Sequence, residues 1–264
     1  MPSPRIERIS SHGLKFLGDP AHPGGVTFAF TERTGGVSQG PFVSLNLGDA
    51  CGDDLGAVNE NRRRALCALG AENFIDNLVN PKQVHGDHIV LISSSEPDEL
   101  ASLRAEARRG ADAIVCVTSA VPVLLCYADC VPIVLACDGG FAVIHSGWRG
   151  TVAHIAAKAL RMLVAQRQLS PADVFAYIGP HIGRDDYEVS IELAQRFQVS
   201  FGTEVCCGRY LDLGYAVRAT LIAAGIPVDH IVSVDISTAQ ATKRFFSYRG
   251  EGGTCGRHGA LAFL

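Results

Sequence analysis

Two apolar runs in the middle of the chain constrain its fold more than any other feature. They are VPVLLCY at 121–127 and VPIVLAC at 131–137, with three residues between them. A strand with one face in water alternates apolar and polar residues, whereas a strand that is apolar at successive positions is covered on both faces. A chain of 264 residues is long enough to bury such strands in one core. We therefore expect a sheet enclosed between other layers.

The remaining pattern predicts an α/β fold. Val, Ile and Phe-rich segments bounded by Gly, Pro or Asp predict strands at 25–31, 77–80, 87–92, 112–117, 121–127, 131–137, 141–145, 174–178 and 229–234. Helical spacing of apolar residues predicts helices at 57–69, 150–168, 190–200 and 212–224, and 93–110 has room for a short one. This order is compatible with a single central sheet or with paired sheets between helical layers. No linker is evident, so we expect one domain over 1–264, with 1–24 partly irregular.

Composition excludes several classes of function. The net charge is −4, and no basic run exceeds Arg62-Arg63-Arg64, so the chain lacks the footprint of a nucleic-acid binder. No stretch approaches the ~20 apolar residues that a membrane-spanning helix needs. Nine cysteines, an odd number that is partly placed in apolar runs, indicate reduced thiols and a cytoplasmic protein. The oligomeric state is not determined by the sequence, and a monomer is compatible with it.

Three potential metal ligands stand beside apolar segments. Cys130 follows the first run, His145 closes the segment 141–145, and His85 lies in the sequence QVHG. A catalytic zinc typically has three such ligands and one open position. The three residues are far apart in sequence and form no compact motif. A buried free cysteine and hydrogen-bonded core histidines therefore remain an alternative.

Candidate substrate-binding groups lie in the neighbouring loops. Arg149 stands at the start of the predicted helix 150–168, where backbone N–H groups favour an anion. Arg33 lies in the glycine-containing loop RTGGVS, which also fits a hairpin turn with a solvated arginine. His181 follows a strand and could act as a ligand, an acid or base, or an ordinary loop residue. Asp129, beside Cys130, fits either a group that orients a ligand or a turn residue.

Several motifs occur together in a fixed order. They are SLNLG (44–48), Asn61-Arg62, QVHG (83–86), ADC (128–130), HSGWRG (145–150), IGPHIG (178–183), YEV (187–189) and FFSYR (245–249). In these motifs the chain resembles the YfiH family, also known as laccase-domain or multicopper polyphenol oxidase-like proteins and now described as purine nucleoside phosphorylases. The family also includes a peptidoglycan editing factor. The resemblance extends from about Thr27 to the C-terminus.

The resemblance implies a fold and a site. The fold is a layered α/β sandwich with mixed β-sheets between helical layers, similar to a toxin deamidase. His85, Cys130 and His145 match the family's zinc ligands and catalytic residues. Arg33, Asn46, Arg149 and His181 are the candidate substrate-binding residues. The chain departs from the family pattern at His181, where the family usually has cysteine, and at Ser237-Thr238, where it often has Cys-Thr.

The implied activity is zinc-dependent phosphorolysis of adenosine, inosine and S-methyl-5'-thioadenosine, with phosphate as co-substrate and adenosine deamination as a side activity. Aromatic residues at 245–248 could stack on the base, although Phe pairs are more often core residues. One alternative is a cysteine-dependent amide hydrolase that edits peptidoglycan precursors, with Cys130 as nucleophile. Copper-dependent polyphenol oxidation fits less well, because the nine histidines are mostly unpaired in sequence. A non-catalytic binding module is a further alternative.

Overall fold

The computed structural model of the protein describes residues 3–264. Within these residues the strands are β1 (Glu7–Ser11), β2 (Leu14–Gly18), β3 (Thr27–Thr31), β4 (Ile89–Ile92), β5 (Ala113–Cys116), β6 (Val123–Tyr127), β7 (Val131–Cys137), β8 (Gly140–Ser146), β9 (Phe175–Ile178), β10 (Cys206–Cys207), β11 (Tyr210–Leu211), β12 (Ile231–Ser233) and β13 (His258–Phe263). The α-helices are α1 (Leu55–Ala68), α2 (Pro97–Arg109), α3 (Trp148–Val152), α4 (Ile155–Arg167), α5 (Ile191–Phe201) and α6 (Leu213–Ala223). A mixed α/β fold results.

Two large sheets form the centre of the molecule. The six-stranded sheet has the order β12-β9-β7-β8-β5-β4, with parallel pairs at both edges and antiparallel pairs between them. The five-stranded antiparallel sheet has the order β1-β2-β3-β13-β6, and β10 and β11 form a small separate hairpin. The two apolar runs therefore belong to different sheets, and the turn 128–130 connects the sheets directly.

Each central strand is buried on both faces. Along β7, Ile133 and Leu135 pack against α4, α5 and α6, whereas Val134 and Ala136 face the other sheet. The five-stranded sheet turns its outer face toward α1. Because successive side chains of a strand point to opposite faces, an uninterrupted apolar run packs against the helices on one face and against the other sheet on the other face. The prediction of mixed sheets between helical layers is confirmed, and the choice between one sheet and two is resolved in favour of two.

Local predictions were wrong at several places. β13 and the N-terminal hairpin of β1 and β2, which lies inside the segment 1–24, were not predicted from the sequence. The predicted strand at 77–80 is only an isolated bridge at Val79. The helix predicted at 150–168 is two helices, α3 and α4, because His154 adopts a left-handed backbone with φ 55° between them. The short helix expected within 93–110 is α2, with Pro97 in its first turn.

No helix among residues 3–264 combines the length and the apolar character that crossing a membrane requires.

Candidate metal centre and cavity

The turn between the two sheets brings the predicted ligands together. Cys130 lies in that turn, and the pairing of Pro132 with His145 in β7 and β8 places the histidine beside it. His85 approaches from the loop that precedes β4. One potential ligand atom from each of His85, Cys130 and His145 lies within 4.8 Å of the others. Residues separated by up to 60 positions in sequence therefore form one cluster at the end of the inter-sheet core.

A buried carboxylate that sequence reasoning missed holds this cluster. Asp112 Oδ1 lies 2.7 Å from His145 Nδ1 and accepts the backbone N–H of His85 at 2.9 Å. Asp112 Oδ2 accepts the backbone N–H groups of Val84 at 3.2 Å and Gly86 at 2.7 Å. The carboxylate thus fixes the His85 loop and orients His145 with its Nε2 toward the cluster. The sequence feature that could have identified Asp112 is its position directly before the apolar strand β5.

Interactions between neighbouring charged groups favour the ionised forms of Cys130 and His145. Burial opposes ionisation of the Cys130 thiol, but His145 and His85 outweigh that effect and lower its pKa to about 6. Burial also opposes protonation of His145, but Cys130 and Asp112 raise its pKa to about 9. Burial would raise the pKa of Asp112, yet His145 and the backbone N–H groups keep it below its usual value. The two shifts therefore favour the ionised form of each group, a thiolate at Cys130 and an imidazolium at His145.

The donor set fits a zinc ion. One thiolate and two imidazoles are ligands that zinc prefers, and a catalytic zinc keeps its fourth position open. In such centres a carboxylate commonly forms a hydrogen bond to the ligand histidine, at the ring nitrogen that does not bind the metal. Asp112 makes this contact with Nδ1 of His145. The backbone of Gly147 also lies close to the cluster. A Cβ at this position would lie 3.2 Å from Cys130 Sγ and 3.2 Å from His85 Cδ2.

A cavity of about 830 Å³ opens onto the cluster. Its walls include the rings of Trp148, Tyr187 and Tyr248, together with apolar side chains such as Leu213. Flat apolar faces with a few polar groups are typical of small-molecule sites. Burial raises the pKa of Tyr187 to about 12, which further disfavours ionisation of a phenol that is already neutral at physiological pH. The cavity has the size and the surface to hold a heteroaromatic ligand beside the cluster.

Two predicted substrate-binding residues have structural partners instead. Arg33 is buried, pairs with Glu251 at 2.8 Å and donates to backbone carbonyls of Val43 and Thr242. It lies outside the residues that line the cavity. Asn46 is completely buried and also lies outside the lining. Both side chains are therefore used to connect distant loops, which the local sequence could not indicate.

The other two predicted residues also lie outside the lining. Arg149 is exposed, with its guanidinium over the ring of Trp148, and the structure does not bring it to the cavity. His181 directs Nδ1 to the carbonyl of Gly179 at 2.8 Å, and burial lowers its pKa. Neither residue is part of the His85, Cys130 and His145 cluster.

The aromatic segment at 245–248 divides between core and cavity. Phe245 and Phe246 are fully buried, in agreement with the core alternative, whereas Tyr248 is exposed and lines the cavity. Trp148, also in the lining, was not predicted to bind a ligand. Arg249 and Arg257 are two further lining residues to which sequence reasoning assigned no role.

Comparisons with known proteins identify relatives of this chain. Purine nucleoside phosphorylase YlmD of Geobacillus stearothermophilus is 35% identical over 271 residues, which cover 99% of this chain and 97% of the relative. Purine nucleoside phosphorylase YfiH of Shigella flexneri is 33% identical and covers 92% of this chain and 95% of its own. The crystal structure of YlmD from Geobacillus stearothermophilus superposes with a TM-score of 0.86 at 31% identity and covers 98% of both chains.

The family model described as multi-copper polyphenol oxidoreductase laccase matches residues 27–264. The resemblance inferred from the motifs is thereby confirmed. Taken with the relatives and the shared fold, this match shows that the chain belongs to the YfiH family of laccase-like proteins.

Proposed function

We propose that this protein is a zinc-dependent purine nucleoside phosphorylase. The observation that carries the proposal is the His85, Cys130 and His145 cluster at a cavity with aromatic walls. The names of the relatives in Geobacillus and Shigella support the same activity. Adenosine, inosine and S-methyl-5'-thioadenosine are the proposed substrates, inorganic phosphate is the co-substrate, and adenosine deamination is a proposed side activity.

The chain's own residues would divide the task between metal binding and substrate orientation. His85, Cys130 and His145 would hold the zinc ion, which supplies Lewis-acid polarisation of a substrate oxygen. Asp112 keeps His145 in the tautomer with Nε2 free and holds the His85 loop in place. The rings of Trp148 and Tyr248 offer faces for a purine.

In phosphorolysis, a phosphate oxygen forms a bond to the anomeric carbon as the C–N bond breaks. The electron pair of that bond leaves with the purine, which takes up a proton. The base is neutral and flat, whereas the co-substrate is anionic, so the two need different parts of the cavity. Water must also be excluded, because it competes with phosphate for the anomeric carbon, and the aromatic walls provide an apolar surface around the substrate.

The test combines metal analysis with phosphate-dependent release of base. We expect about one zinc per chain and release of adenine or hypoxanthine only when phosphate is present. His85→Ala and Cys130→Ala should lose both metal and activity, while Asp138→Asn, at an exposed position outside the cavity, should retain both. Conversion of adenosine to inosine without phosphate would report the deaminase side activity. A zinc-loaded protein that releases no base from any of the three nucleosides contradicts the proposal.

The low pKa of Cys130 beside His145 favours one alternative, a cysteine-dependent amide hydrolase of peptidoglycan precursors. A metal ligand is not free to attack a substrate, so the two functions are separable. A protein that is isolated without metal, is alkylated at Cys130 and hydrolyses an amide would support the hydrolase. The copper oxidase is disfavoured, because residues 3–264 provide one cluster of potential metal ligands, whereas a laccase needs several copper centres.

We also propose that the chain forms one domain over residues 1–264 and acts in the cytoplasm. All nine cysteines are free thiols, as expected for a reducing compartment. Small molecules rather than nucleic acids are the proposed partners.

A further inference from the structure

Two arginines on the cavity wall lack acidic partners. Arg108, which lines the same cavity, pairs with Asp49 at 3.0 Å, and Asp49 also pairs with Arg62 at 3.4 Å. In contrast, neither Arg249 nor Arg257 forms an ion pair with any carboxylate in the part of the chain that the structure describes. The lining also includes Lys82 and the acidic residues Asp49 and Asp129, so its Lys and Arg side chains outnumber its carboxylates, and this excess of positive charge favours an anionic ligand.

Arg257 is held firmly by its surroundings. Its backbone N–H donates to Asn46 Oδ1 at 2.7 Å, and its Nη1 donates to the carbonyls of Cys255 at 2.7 Å and Gly256 at 2.8 Å. Its aliphatic stem occupies the space next to Gly48, where a Cβ would lie 2.7 Å from Arg257 Cγ. These contacts occupy Nη1, whereas Nη2 and Nε donate to no other protein group within residues 3–264 and leave donors for a ligand.

Arg249 is positioned by the residue that precedes the cysteine of the cluster. Its backbone N–H donates to Asp129 Oδ2 at 2.7 Å, and its Nη1 donates to the carbonyl of Glu188 at 3.3 Å. Asp129 Oδ1 also accepts the hydroxyls of Thr238 at 2.7 Å and Ser247 at 2.6 Å. Asp129 thus ties the Arg249 segment to the turn that carries Cys130. Asn46 and Asp129 act as positioning residues for the two arginines.

We propose that Arg249 and Arg257 form the phosphate subsite of this cavity. The assignment rests on the proposed phosphorylase function and adds the residues that bind its co-substrate. Guanidinium groups bind phosphate through paired, charge-assisted hydrogen bonds, and two of them match a dianion in charge. Arg33 and Arg149, the two arginines among the predicted substrate-binding residues, lie outside the lining of the cavity.

The test measures phosphate binding itself, by isothermal titration of zinc-loaded protein with inorganic phosphate. Phosphate bound by zinc alone would be insensitive to substitution of the arginines. Trp148, the only tryptophan in the chain, lies in the cavity lining and reports the location of binding by fluorescence. The variants are Arg249→Gln and Arg257→Gln, and the control is Arg161→Gln at an exposed position of α4 outside the lining.

We expect each variant to bind phosphate at least tenfold more weakly than the wild type, with Arg257→Lys recovering part of the affinity. The control should bind like the wild type, and thermal unfolding identifies any variant that fails to fold. Unchanged affinity in both folded variants, or no binding by the wild type, overturns the assignment. Adenosine 5'-monophosphate is titrated in parallel, and loss of its affinity in the arginine variants with the affinity for inorganic phosphate unchanged would overturn the co-substrate role.

Two assays distinguish a failure of the proposed phosphorylase function from a failure of the proposed phosphate subsite. Arginine-dependent binding of phosphate without release of base from zinc-loaded protein would contradict the phosphorylase while supporting the subsite. Release of base with an unchanged KM for phosphate in both variants would contradict the subsite alone.

Discussion

Replacing Asp112 with asparagine tests the claim that one carboxylate assembles the metal centre. Each carboxylate oxygen serves two donors. Oδ1 serves the His85 N–H and His145 Nδ1, and Oδ2 serves the N–H groups of Val84 and Gly86. An asparagine has nearly the same shape but only one acceptor oxygen. If the NH₂ group replaces Oδ2, the N–H groups of Val84 and Gly86 lack an acceptor. If it replaces Oδ1, the His85 N–H lacks one, and His145 accepts from the amide through Nδ1 in its other tautomer, which places a proton on Nε2.

The structure sets the size of the expected effect. An unsatisfied buried donor costs about 1–3 kcal/mol, so one or two of them should lower the free energy of unfolding by about 1–6 kcal/mol. The stability loss should be present without zinc, because the four hydrogen bonds do not require the metal. Loss of a carboxylate behind a ligand histidine should also weaken metal binding by about 10–100-fold.

The assay is urea unfolding in the presence of a chelator, followed by zinc titration of the folded variant. Asp138→Asn is the control, because Asp138 is exposed and its change should stay within about 0.5 kcal/mol. A loss of less than about 1 kcal/mol for Asp112→Asn, with zinc affinity unchanged, would refute the reasoning, since it would mean that the four bonds are readily replaced.

Three further perturbations follow from the packing. Gly147→Ala should reduce zinc affinity, measured by chelator competition, because the added Cβ meets Cys130 Sγ and His85 Cδ2 at 3.2 Å; unchanged affinity would contradict this crowding. Burial and two nearby arginines lower the pKa of His258 to about 3 from 6.5, so the unfolded chain binds more protons than the folded one between these values. Stability should therefore fall with decreasing pH in this window by up to about 1.4 kcal/mol per unit, and His258→Leu should flatten that slope in acid unfolding curves. Changing Glu32 to Gln should lower the free energy of unfolding by about 1–3 kcal/mol, because the buried carboxylate loses charge-assisted hydrogen bonds from Arg8 and Arg244, at 2.7 and 2.6 Å, while the partly exposed arginines stay solvated. A thermal-unfolding shift no larger than that of Asp138→Asn would argue against it.

Local hydrophobicity is sufficient to predict the central strands. The runs at 121–127 and 131–137 need cover on both faces wherever they lie, so their burial was evident from the residues alone. Cys130 and His145 were recognisable because they interrupt or close such runs. The N-terminal hairpin and β13 gave weaker signals, because exposed polar residues in the first and small residues such as Ala260 in the second resemble loops.

The sequence by itself determined that this chain forms buried strands with a thiol and imidazoles at their ends, because these properties depend on residue type and on neighbours along the chain. Only the tertiary structure decided that the two runs enter different sheets, and that Asp112 joins His85 to His145. It also decided that Arg257, held by Asn46 from 211 residues away, lines the cavity while Arg33 does not. Such contacts depend on chain segments that meet only after folding, and no local pattern encodes them.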